Sequence, residues 1–75
     1  MKLPQISGIK IIKILNKSGF KTIRQRGSHV RLEKQAGNEI IKLTVPLHDK
    51  LKKGTLLSII KASKISEKEF EELLW

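Results

Sequence analysis

Seventy-five residues allow one domain, near the lower limit at which a hydrophobic core alone offsets the chain entropy lost on folding. No cysteine is present, which excludes disulfide staples and thiolate metal sites, and lysines interrupt every apolar run, so neither a membrane span nor a signal-peptide core is expected and a cytoplasmic address follows. The formal charge of +9 is concentrated in the body: the last nine residues hold Glu67, Glu69, Glu71 and Glu72 against Lys68, so the preceding stretch carries +12. Such a field attracts polyanions, nucleic acid first, because lysine and arginine release the counterions condensed on phosphates. The plainer reading is a hydrated lysine coat that serves solubility.

In chain order, Ser7 is a candidate N-cap, and Gly8, Ile11, Ile12 and Leu15 follow the spacing of an amphipathic helix, predicted over 7–18 and stopped by Gly19. Three strands follow, over 20–25, 29–34 and 40–45, each rich in β-compatible residues. The connections Arg26-Gly27-Ser28 and Gln35-Ala36-Gly37-Asn38 are short and contain glycine, which favours hairpins and an antiparallel meander. Phe20 and Ile23 cannot both face inward along a regular strand, so a bulge is expected near the start of the first. Pro46 ends the sheet. Leu56, Ile59, Ile60 and Ser63 give a second helix over 53–63, and a third is predicted over 66–75, with Ser66 and Glu69 as a capping box and Ile65 and Phe70 as a hydrophobic staple. The order α-β-β-β-α-α predicts an α+β fold, a three-stranded antiparallel sheet with helices on one face and the other face open.

Alternation assigns the faces. If Val30 and Leu32 point into the core, His29, Arg31 and Glu33 point out, and in the third strand Ile40, Lys42 and Thr44 do the same. Arg24 and Thr22 can join them from the first strand. The open face is therefore basic and centred near one histidine. RNA carries its own nucleophile, the 2′-hydroxyl, so cleavage needs a proton acceptor, a proton donor for the leaving 5′-oxygen, and cations for the developing charge. Histidine can exchange that proton near neutral pH, and arginine and lysine supply the electrostatics. A two-metal nuclease would need clustered carboxylates, whereas Glu33, Glu39 and Asp49 are spread along the body, so no metal and no cofactor are expected.

Gly27 would let a phosphate approach the backbone, and the Ser28 hydroxyl could bond a phosphate or the imidazole, although the pair could equally be only a turn. Taken alone, a single histidine at a strand start is more often a surface residue than a catalyst. His48, in Pro46-Leu47-His48-Asp49, is either a complementary acid or a loop residue. Lys50, Lys52 and Lys53 before Gly54-Thr55 form either a phosphate-binding helix start or a solvated loop. The candidate RNA-binding set is Arg24, Arg26, Gly27, Arg31, Lys42, Lys52 and Lys53.

Several stretches together resemble the HicA toxins: Leu3-Pro4 with Ser7-Gly8, Gly19-Phe20, Arg26-Gly27-Ser28-His29, Thr44-Val45-Pro46 with His48, and Lys53-Gly54-Thr55-Leu56 followed by Ile59. The resemblance covers residues 3 to about 62. It implies a fold similar to double-stranded RNA-binding domains, ribosome-independent cleavage of messenger and related RNA as the toxin of a toxin–antitoxin system, and a HicB-type antitoxin partner. It places the catalytic role on His29; Ser28 and His48 stay candidate helpers on the reading of the residues alone. Two features depart from the family pattern. Val30-Arg31-Leu32 stands where many relatives carry a second histidine and an aromatic, and Ser63-Lys64 stands where a glycine commonly ends the second helix. The alternative is a non-catalytic RNA-binding module of the double-stranded RNA-binding type, in which Arg24, Arg31 and Lys42 matter as much as His29; a third reading is a basic face that docks an acidic protein.

Overall fold

The computed structural model describes residues 5–74; Leu3-Pro4 and Trp75, to which the sequence reading assigned family resemblance and the end of the last helix, lie outside them. The elements are α1 (Gly8–Lys17), β1 (Lys21–Arg26), β2 (His29–Ala36), β3 (Glu39–Pro46), α2 (Lys53–Ser63) and α3 (Glu67–Leu74). The strands form one antiparallel sheet in the order β1-β2-β3, the α+β architecture expected for a fold like that of double-stranded RNA-binding domains. β2 and β3 extend further than the sequence pattern suggested, since Ala36 pairs with Glu39 and leaves only Gly37-Asn38 as the loop.

Local chemistry fixes each boundary. At the start of α1, the Lys10 N–H donates to Ser7 Oγ at 3.0 Å. At its end, Gly19 N–H donates to the Asn16 carbonyl and Phe20 N–H to the Leu15 carbonyl, a Schellman closure that requires the left-handed φ of +106° at Gly19. The two hairpin loops use one device twice. Gly27 and Gly37, at φ +60° and +62°, take the first loop position, and the side chains of Gln25 and Gln35 donate to their carbonyls. α3 is capped by Ser66, whose Oγ accepts from Glu69 N–H at 3.1 Å.

At the end of α2 the departure from the family pattern becomes physical. Lys64 sits at φ +61°, a conformation that favours glycine, and is the single non-glycine residue with positive φ among those described. Its ammonium pairs with the Glu39 carboxylate, and buried Ser63 donates to the Ile60 carbonyl, so the turn is held by side chains as well as by backbone.

The core lies between the helices and one face of β2 and β3. Ile11, Ile14 and Leu15 of α1, Leu56, Ile59 and Ile60 of α2, and Phe70 of α3 close on Val30, Leu32, Ile41, Leu43 and Val45, all buried. β1 is different, because all six of its residues are exposed. The expected bulge falls between Thr22 and Arg24. It corrects one expectation: Thr22 pairs with Leu32, which faces the helices, so Thr22 leaves the open face and Ile23 turns onto it, 51% exposed.

α1 meets the end of β3 at a tight backbone crossing. Gly8 N–H donates to the His48 carbonyl at 2.9 Å, and a Cβ at Gly8 would stand 2.1 Å from the Pro46 carbonyl oxygen. That oxygen cannot retreat without shifting β3. Gly8→Ala should therefore destabilise the protein by about 2 kcal/mol, lowering the melting temperature by roughly 8–16 °C in thermal denaturation.

Candidate functional site

The hairpin between β1 and β2 delivers the histidine. The N–H of Leu47 donates to the Ser28 carbonyl at 2.7 Å, which ties the loop to the end of β3, and His29 opens β2 paired with Arg26 on one side and Pro46 on the other. One rung further, Arg24, Arg31 and Thr44 stand side by side. Side chains on alternate residues share a face, so these two rungs create a shallow depression on the open side, lined by Arg24, Arg26, His29, Arg31 and Thr44. His29 is exposed, turned away from the core.

The charge arrangement is costly to the free protein. Arg24 and Arg31 are direct cross-strand partners, and like charges in that position destabilise a sheet. Among the described residues, Arg31 has one carboxylate near it, Glu33 at 3.8 Å. Both side chains are partly exposed, so this pair offsets little of the repulsion. A surface that stacks three guanidiniums around an imidazole is relieved by a phosphate. Arg24→Gln should raise the melting temperature by about 1–5 °C through loss of the repulsion, while weakening RNA binding and flattening its salt dependence by about one unit of slope. Parallel thermal melts and salt titrations check both signs.

The other sequence candidates are distributed around this depression. Lys42 lies one rung below Thr44, paired with Glu33. Thr44 also lines a second groove with Lys42, Thr55 and Ser58, so the surface continues from His29 to the first turn of α2. Lys52 and Lys53 are exposed at that turn, where Lys52 occupies the N-cap without a side-chain cap bond. Ser28 and Gly27 stay in the exposed hairpin loop, and nothing within 4 Å fills the space that a Cβ at Gly27 would take. His48 follows Pro46 by two residues, its carbonyl bonded to Gly8 and its side chain outside the lining of the His29 depression.

Alternation puts Thr44 on the open face, and its pairing opposite Arg31 adds it to the lining of the depression, a role that residue type alone does not signal. Ile23 was missed for this face because the bulge inverts the parity of β1. The acidic third helix, by contrast, packs: Phe70 is 1% exposed.

Among the described residues, no three His, Asp or Glu side chains gather as a metal-binding group, and no helix is long and apolar enough to cross a membrane. No curated protein matches the chain. The family model described as the HicA toxin of bacterial toxin–antitoxin systems matches residues 8–65, which runs from the first residue of α1 to the turn after α2 and includes the whole sheet. The chain therefore belongs to the HicA toxin family.

Proposed function

We propose that this toxin is an endoribonuclease that cleaves messenger RNA without a metal ion or other cofactor, with His29 as general acid or base. The carrying observation is the exposed imidazole at the start of β2, set among Arg24, Arg26 and Arg31 on the uncovered face of the sheet. The substrate's 2′-hydroxyl loses its proton and attacks the adjacent phosphorus, and the 5′-oxygen leaves with a proton gained. The products are a 2′,3′-cyclic phosphate and a 5′-hydroxyl. His29 exchanges one of these protons, and the guanidiniums stabilise the charge that builds on the phosphorane.

In this reading Ser28 and His48 are helpers: the hydroxyl as a hydrogen-bond partner of phosphate or imidazole, the second imidazole as the complementary proton carrier. Lys42, Lys52 and Lys53 hold the RNA backbone along the path from Thr44 to α2, and Gly27 leaves room for a phosphate beside the hairpin. Family membership supports a HicB-type antitoxin as the protein partner, covering the basic face, and a cytoplasmic site of action. The non-catalytic alternative rests on the element order, which is shared with double-stranded RNA-binding domains and does not fix function. Incubation of the purified chain with RNA in EDTA separates the two. Metal-free cleavage with cyclic-phosphate ends supports the enzyme; binding of intact RNA supports the module.

A further inference from the structure

The open face carries a second depression, at the opposite end of the sheet from His29. It measures about 300 Å³ and is lined chiefly by Lys21, Ile23, Glu33, Gln35 and Ile40. That size is at the small end of ligand pockets. Its walls are the two exposed isoleucines, Ile23 at 51% and Ile40 at 53%, an unusual use of large apolar side chains on so charged a surface. Neither exposure is accidental in the chain's geometry. The bulge between Thr22 and Arg24 turns Ile23 outward, and Ile40 pairs with Gln35 on the outward rung. Between the walls lies Glu33, the carboxylate that β2 contributes to this face, with Lys21 and Lys42 as its cross-strand neighbours.

We propose that this depression is a base-recognition subsite, which seats a nucleobase of single-stranded RNA one or two nucleotides from the scissile bond and selects bases that present an amino group to Glu33. The inference rests on the ribonuclease reading above. An extended RNA strand crossing the arginine cluster continues along the same face, because successive outward rungs lie roughly 7 Å apart and the Glu33 rung is two rungs from His29. Lys21 lines the pocket, and Lys42 and Arg31 flank Glu33 on the same face, where they suit the phosphates on either side of the seated base. Apolar side chains pack against the faces of the ring, and a carboxylate accepts from the exocyclic amine of cytosine or adenine or from the amino edge of guanine. Uracil presents a carbonyl oxygen there, which the carboxylate repels. Two isoleucines are far less apolar surface than a stable protein interface buries, so the depression fits a base better than a protein anchor.

The test is cleavage of a random-sequence RNA pool, with the ends of the products sequenced. Wild type, Glu33→Gln and the double variant Ile23→Thr/Ile40→Thr are compared; all three positions lie outside the core cluster, and thermal melts verify folding. Wild type should disfavour uracil at one fixed position within two nucleotides of the cut by at least about fivefold. Glu33→Gln should relax that preference, since an amide can donate as well as accept, and the isoleucine variant should weaken it while cutting continues. Identical profiles for all three proteins would overturn the subsite, as would a wild-type profile without preference at any fixed offset. Unchanged profiles joined to loss of binding to a HicB-type antitoxin would reassign the depression to the protein partner. Absence of any cleavage by wild type would instead remove the ribonuclease reading itself.

Discussion

His29→Ala should lower the single-turnover rate of RNA cleavage by about 10²–10⁴-fold, the range that a positioned general acid or base contributes. The ring is exposed and makes no core contact, so the fold should be unaffected within roughly 0.5 kcal/mol. RNA binding should be largely kept, because Arg24, Arg26 and Arg31 remain in the depression and phosphate contacts dominate affinity. Cleavage and binding measured at one salt concentration, in EDTA, give the two readouts. A variant that cuts at the wild-type rate would take His29 out of the chemistry.

Phe70→Ala should cost about 3–5 kcal/mol, a large fraction of the stability of a domain this small. Phe70 is the largest fully buried side chain among the described residues and comes from α3, which lies beyond the stretch matched by the family model. α3 packs against α1, and its capping serine follows buried Ile65, so the aromatic ring closes the core from the side that the shared segment leaves open. The melting temperature should drop on the order of 15–30 °C. Cleavage assayed well below the new transition should persist, because Phe70 is not part of the basic face. A variant that melts like wild type would show that α3 is an accessory to a core complete without it.

The element order was legible because three local signals agree: the 3.6-residue spacing of Ile11, Ile12 and Leu15, the alternation of Ile41, Leu43 and Val45, and glycines after α1 and in both hairpin loops. The caps were legible for the same reason, as at Ser7 and Ser66. The grouping of Arg24, Arg31 and His29 followed from parity within β1 and β2. Parity is also where the reading of Thr22 went wrong. One inserted residue reverses the facing of everything before it, and sequence shows that a bulge is needed without showing where the register slips. The left-handed Lys64 was invisible for a different reason: its side chain reaches across the fold to Glu39, a long-range pairing that no local pattern encodes.

The nakedness of β1 has a dynamic consequence. Fully exposed and with one strand beside it, β1 should exchange its amides with solvent deuterium before the rest of the sheet, at an opening energy below that of global unfolding. Two of the three guanidiniums in the cluster, Arg24 and Arg26, thus ride on that strand, and an RNA or antitoxin lying across all three strands must stop its motion on binding. Slowed exchange at Arg24 and Arg26 is therefore the earliest signature of an occupied face.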